Sequence, residues 1–212
     1  DQVELNLQSM SHMITDKVVL VTGAGGSIGS ELCIQIIKYK PRKLICFDMS
    51  EFNMYELGFK LEGHASFSKI EYIIGDVRDL EKIENVFEVH RPDVVFHAAA
   101  YKHVPMMELN PIEAIKVNIL GTQAVARLAD KYKLEKLVLV STDKAVNPTN
   151  VMGTTKRIAE MVCQTIQKTS KTKYVVVRFG NVLGSSGSVI PRFQKQIEAG
   201  ADVVQIFDSW AA

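Results

Sequence analysis

Short, almost wholly apolar runs alternate along this chain with longer stretches whose apolar residues recur every three or four positions. The first pattern marks buried strands and the second marks helices with one face on a core. The runs fall at residues 17–21, 43–47, 69–74, 93–97, 137–140 and 174–179. Between them, helices are predicted over 27–39, 51–62, 80–90, 111–132 and 154–168, the first four with a start or stop signal. The first stops before Pro41, because the residue preceding a proline avoids helical geometry. Ser50 is placed to cap the second and Gly63 to close it, and Asp79 is placed to cap the third. Pro111 occupies a permitted first-turn position of the fourth. Near-continuous β-branched runs mean strands buried on both faces, hence a parallel sheet covered by helices. Regular alternation of strand and helix predicts an α/β fold, a doubly wound parallel sheet with right-handed crossovers. Residues 1–16 are polar and without a period, which reads as an N-terminal linker or edge extension, and no internal repeat is visible.

In a sheet of this kind ligands bind beyond the carboxyl ends of the strands, so the residues after each strand are the functional candidates. After the first strand comes Thr22-Gly23-Ala24-Gly25-Gly26-Ser27-Ile28-Gly29, with Gly23, Gly26 and Gly29 spaced three apart. Glycines there allow a tight reversal, backbone approach to a pyrophosphate and close packing of helix on strand. The helix opening at Ser27 and Ile28 offers N–H groups and a positive dipole end to phosphates. A glycine turn alone is a weak signal, but Asp48 ends the second strand about twenty residues later, where the dinucleotide fingerprint places an acid on the adenosine ribose and favours NAD over NADP. Asp76 and Val77 follow the third strand and would edge the adenine; a simple turn cap is the alternative for Asp76. Ala98, Ala99 and Ala100 follow the fourth, small enough for a cofactor to lie against the backbone or for helices to pack closely. The polar loop Tyr101-Lys102-His103-Val104-Pro105 comes next, placed to meet phosphates or substrate. Asn118 falls in mid-helix and is expected to turn inward and hydrogen-bond backbone or water.

Composition narrows the picture by exclusion. Of 212 residues, 47% are hydrophobic and 23% charged, an ordinary globular balance with room for one sizeable core and not for two full domains. A formal net charge of +1 supplies no single-sign field for nucleic acid or a membrane surface. Cys33, Cys46 and Cys163 are odd in number and lie inside predicted elements, so small buried thiols in a reducing, cytoplasmic compartment are expected. No apolar run reaches the roughly eighteen residues of a spanning helix, and no signal-peptide layout opens the chain. His97 and His103 lack companions at ligand spacing, so packed or solvent-facing histidines are expected and no metal.

The fifth strand ends in Thr142-Asp143-Lys144. An acid beside an amine can divide proton donation from proton abstraction, a sound basis for elimination next to a carbonyl when burial draws both pKa values toward neutrality. A strand-end turn carrying solvated charges is the equal alternative from the residues alone. Met152 and Lys156 follow one helical turn apart and share a face.

With the Thr22–Gly29 turn, Asp48-Met49-Ser50-Glu51, Ala98 to Pro105, Ser141 to Asn150 and Arg178 to Pro191 taken together, the chain resembles the CapD-like nucleotide-sugar 4,6-dehydratases. These belong to the extended short-chain dehydrogenase/reductase superfamily and act on UDP-N-acetylglucosamine. The resemblance implies a Rossmann-like catalytic domain over 17–197 and a reaction on tightly bound NAD, a hydro-lyase cycle serving surface-glycan biosynthesis. Hydride leaves sugar carbon 4, a 4-keto intermediate loses water across carbons 5 and 6, and hydride returns to carbon 6. Under the same resemblance Lys144 is the base at carbon 5, Asp143 the acid at the carbon 6 hydroxyl, and Thr142 a hydrogen-bond partner of the carbon 4 oxygen. Lys156 holds the nicotinamide ribose. Ser50, Lys102 and Asn118 join the cofactor contacts, and Lys102, His103, Asn181, Ser188, Val189 and Arg192 the substrate contacts. Homo-oligomers are implied as well.

Two departures stand out. The wider superfamily carries Tyr four residues before the catalytic Lys, and this chain has Met152, which can neither give nor take a proton; the large, membrane-tethered branch shares that Met. The family also continues into a smaller substrate-binding domain that this chain is expected largely to lack. Residues 198–212 resemble instead a short piece of uroporphyrinogen decarboxylase, read as an atypical tail without that activity. A non-catalytic NAD-binding module and a UDP-sugar 4-epimerase are the competing readings.

Overall fold

The computed structural model describes residues 7–64 and 69–180. Helix α1 (Leu7–Ile14) precedes β1 (Val18–Thr22), α2 (Ser27–Ile37), β2 (Lys43–Asp48), α3 (Glu51–Leu61), β3 (Ile70–Ile74), α4 (Leu80–His90) and β4 (Val94–His97). Then come α5 (Val104–Leu109), α6 (Pro111–Ala114), a π-helical turn (Ile115–Gly121), α7 (Thr122–Lys131), β5 (Lys136–Thr142), a 3₁₀ turn (Asp143–Ala145), α8 (Val151–Gln167) and β6 (Lys173–Phe179). All strand pairs are parallel, in the order β3-β2-β1-β4-β5-β6. That order reverses direction between β1 and β4, the switch point at which doubly wound sheets bind dinucleotides.

Alternation along the strands divides the core into two layers, as a period of two requires. Leu20, Ile45, Val95 and Leu137 face α4, α7 and α8, meeting Phe87, Val125, Ala159 and Cys163. Val19, Val21, Leu44, Cys46 and Phe96 face the opposite way onto Ile36 of α2, Leu57 of α3 and Ile14 of α1. All three cysteines are buried and unpaired as disulfides, the small-hydrophobe role expected of them. Ser50 and Asp79 accept from Asn53 N and Lys82 N respectively, capping α3 and α4.

The structure differs from the sequence reading at four places. The segment expected as a linker contains α1, whose last residue Ile14 is fully buried in the same layer as Ile36, Leu44 and Phe96, a contact that no local pattern announces. The loop after β4 becomes helical at Val104, with Pro105 in the first turn. The helix foreseen over 111–132 widens into a π turn at 115–121, where the Thr122 hydroxyl donates to the Asn118 carbonyl at 2.7 Å. Finally, β3 and β6 are only partly covered, with Ile74, Val175 and Val177 exposed, because these are the outer strands among the described residues. Among those residues no helix is long and apolar enough to cross a membrane.

Candidate active site

Above the ends of β1, β2, β3 and β4 lies a crevice of about 330 Å³, within the range of small-molecule sites. Gly23, Gly26, Asp48, Ser50, Asp76, Val77, Ala98, Ala99 and Ala100 line it, all of them candidates from the sequence. Tyr101, from the polar loop expected to meet phosphates or substrate, lines it too, as do Phe47, Met49, Asn53, Gly75 and Val117, which the strand-end pattern does not single out. Asn53 is legible afterwards: it stands one turn into the helix capped by Ser50, directly above Asp48. Ser27, Ile28, Gly29, Lys102 and Asn118 are not among the lining residues.

The glycine turn is built against its neighbours. Gly23 has φ +71°, and a Cβ there would stand 2.5 Å from Ala99 N. At Gly29 a Cβ would stand 1.9 Å from Gly23 O, so α2 can approach β1 only without one. Gly26 caps α2 with no side chain, leaving the first-turn N–H groups to the approach of an anion. Asp48 has two protein partners, accepting from Gly25 N and Ser50 N at 2.9 Å each. The carboxylate therefore fixes the turn and still keeps lone pairs for ribose hydroxyls. Asp76 accepts two bonds from the Arg78 guanidinium, which also reaches Glu113; that pairing holds the Asp76 carboxyl below the usual range.

Asn118 serves the crevice from behind. Its Oδ1 accepts from Tyr101 N at 2.8 Å, and its Nδ2 donates to Tyr101 O and the Thr155 hydroxyl at 3.0 Å each. It thus imitates a strand partner for Tyr101, the inward hydrogen bonding anticipated for it. His97 is buried between the hydroxyls of Thr22 at 2.6 Å and Thr122 at 3.0 Å. Burial, then the Lys156 charge, push its imidazole down to about 3, so it is neutral. No group of three potential metal-binding side chains occurs among the described residues. His103 is the N-cap residue of α5, and the two histidines share no site.

The neutral His97 has a consequence for stability. The unfolded chain takes a proton near the ordinary value of 6.5 and the folded chain does not until about 3. The contribution is complete above pH 6.5 and is lost as pH falls toward 3, at about 1.4 kcal/mol per pH unit. Urea unfolding at several pH values between 7 and 5 should show this slope reduced in His97→Gln relative to the parent, carboxylate effects being common to both.

Beyond the crevice, β5 carries the acid and amine. His97 pairs with Leu139, so Thr142 stands three residues past the level where β4 ends, about 10 Å further along the strand direction. Thr142 caps the 3₁₀ turn. Its hydroxyl donates to Asp143 Oδ1 at 2.9 Å, and the same oxygen accepts from Lys144 N at 2.8 Å. The Lys144 ammonium lies 3.5 Å from that carboxylate. Partial burial opposes ionisation of Asp143, but the bonds from Thr142 and Lys144 outweigh it and the carboxyl sits below its usual range. Met152 packs with Val104, Met107 and Ala114, an apolar seat. Asn150 caps α8, and a Cβ at Gly153 would stand 2.5 Å from Lys144 O, so the helix start presses directly on the turn. Lys156 is buried and donates to Val140 O at 2.7 Å. Burial pushes its ammonium down to about 8 against the opposing pull of Glu160. Asn181, Ser188, Val189 and Arg192 lie outside the described residues.

The strand order and the crevice at its switch point define a Rossmann-like domain of the extended short-chain dehydrogenase/reductase type. More narrowly, residues 19–209 match the family model described as polysaccharide biosynthesis protein, and the chain belongs to that family. The chain is 52% identical over 206 residues to the capsular polysaccharide biosynthesis protein CapD of Staphylococcus aureus, covering 96% of this chain and 34% of that one. It is 38% identical over 201 residues to a UDP-N-acetylglucosamine 4,6-dehydratase (inverting) of Campylobacter jejuni, covering 93% and 58%. The X-ray structure of Pen from Bacillus thuringiensis superposes with a TM-score of 0.80 at 39% identity, over 87% of this chain and 56% of that one. The chain thus spans between a third and about three fifths of the length of these proteins.

Proposed function

We propose that this chain is the NAD-binding catalytic part of a nucleotide-sugar 4,6-dehydratase that acts on UDP-N-acetylglucosamine. The observation that carries the reading is the Thr142–Asp143–Lys144 turn, an acid and an amine 3.5 Å apart at the ligand-facing end of the sheet. The crevice fits the cofactor: a cradle at Gly23 and Gly26 that a Cβ would close, a helix start without a side-chain cap, and Asp48 for ribose hydroxyls. Bound there, NAD supplies a hydride acceptor at the start of the cycle and a hydride donor at its end. Lys156 holds the nicotinamide ribose, and Thr142 hydrogen-bonds the sugar carbon 4 oxygen.

Lys144 removes the carbon 5 proton, whose acidity comes from the neighbouring carbon 4 carbonyl. The freed electron pair forms the carbon 5–carbon 6 double bond as the carbon 6 oxygen leaves. Asp143 protonates that oxygen, so water departs and the charges balance. Asp143 rests ionised in the open chain; a hexose laid over the turn strips more water from it, which favours the protonated form the step needs. Met152 takes no part in proton transfer.

Incubation with UDP-N-acetylglucosamine and NAD should yield a product lighter by one water by mass spectrometry. In deuterated solvent that product should carry deuterium at carbon 5. A product of unchanged mass and altered configuration would identify a 4-epimerase; bound NAD without any product would identify a binding module.

A further inference from the structure

Behind the proton-transfer turn lies a buried carboxylate that the reaction scheme does not use. Glu160 of α8 has no exposed surface. Its Oε1 accepts from the Ser141 hydroxyl at 2.6 Å and from Arg178 Nε at 2.8 Å. Its Oε2 accepts from the second arm of Arg178 and from Arg157 at 3.1 Å. Ser141 and Arg178 are cross-strand partners in the register of β5 and β6, so both side chains rise on the same face toward α8. One carboxylate therefore ties two strands to one helix, a single residue before Thr142. Two residues past Arg178, a Cβ on Gly180 would stand 3.4 Å from Asp143 Oδ2, so the end of β6 abuts the acid itself.

A buried ion pair is a poor means of gaining stability, since apolar residues of similar size usually serve as well. Its location calls for another reason. Glu160 stands one helical turn past Lys156, whose buried ammonium donates to the Val140 carbonyl. We propose that Glu160 is a positioning residue of this site: it sets the height of the Asp143–Lys144 turn through Ser141 and Arg178, and provides the counter-charge for the buried Lys156 ammonium. The titratable groups that act on Lys156 are Glu160 and Cys163 on its own helix and His97 on β4, while Arg157 and Arg178 reach it only through their bonds to Glu160. Of these, Glu160 is the anion that opposes the effect of burial most.

The kinetic part of this inference rests on the dehydratase reading, and the binding part does not. Two variants separate charge from packing: E160Q, and the double replacement E160M/R178M, which removes both charges and keeps an apolar fill should the single variant fold poorly. The first measurement is NAD affinity against pH by calorimetry, with no sugar present. Removing an anion beside an ammonium lowers its pKa, so the alkaline loss of affinity should move down by one pH unit or more in E160Q, and by less in E160M/R178M, where the Arg178 cation leaves with the anion. Near neutrality their affinity should stay within a few-fold of the parent. The second is turnover, where kcat should fall at least tenfold and KM for the sugar nucleotide less than threefold. An unmoved alkaline limb in E160Q, or parental kcat in E160M/R178M, overturns the proposal, as does an equal loss of affinity at every pH. If the parent chain forms no dehydrated product, the functional reading falls while the pH titration still decides the role of Glu160.

Discussion

Replacement of Lys144 by methionine should lower dehydrated product by on the order of 10³-fold, the range that a positioned acid–base group contributes. The side chain is about as long and as apolar along its stem, so packing of the turn is retained. What is lost is the only amine adjacent to Asp143 in this turn, 3.5 Å from its carboxylate. The backbone N–H at position 144 still donates to Asp143 Oδ1 and to the Thr142 hydroxyl, so the 3₁₀ turn keeps its shape. The companion variant Asp143→Asn separates the two roles. Exchange of the carbon 5 hydrogen with deuterated solvent needs the base alone, whereas water loss needs base and acid. Lys144→Met should abolish exchange and water loss together. Asp143→Asn should leave exchange measurable and depress water loss. Exchange at the parental rate in Lys144→Met would remove the base from Lys144.

Gly23→Ala should cost about 2–4 kcal/mol of folding stability and reduce NAD affinity by a hundredfold or more, read by urea unfolding and calorimetry. Two effects add. A left-handed φ of +71° strains any residue with a Cβ, and this Cβ would also press into the Ala98–Ala99 peptide at 2.5–2.7 Å. The peptide must move, and it lines the crevice. Gly63 is the internal reference: its φ is +82°, yet nothing lies within 4 Å of a Cβ built there. Gly63→Ala should therefore cost about 1 kcal/mol from backbone strain alone and leave NAD binding intact. Equal effects at the two sites would mean that close approach to Ala99 carries no weight.

The outline of the fold was plain in the chain because its signals are local. Strands β1, β2 and β4 are runs of residues buried on both faces, and three of the helices begin at Ser50, Asp79 and Pro111, each marked by a residue whose own chemistry ends or starts a helix. Only local information was needed to place Asp48, Asp76 and the alanines 98–100 at strand ends, and the sheet order then brought them to one crevice. The outer strands β3 and β6 were the exception. Their β-branched sequence matches that of the central ones, and only their place in the sheet exposes Ile74, Val175 and Val177.

By itself the sequence determined the strand–helix alternation, the glycine spacing, the acid at the end of β2 and the acid–amine pair after β5, since each depends on neighbours a few residues away. Tertiary structure alone decided that Asn118 grips the backbone of Tyr101, that His97 is held neutral between two threonines, and that Ser141, Glu160 and Arg178 meet at one carboxylate. The partners in each of those contacts stand 17 or more residues apart. Hydrogen bonds over such separations exist only once parallel strands have set their register, and no periodicity along the chain can announce them.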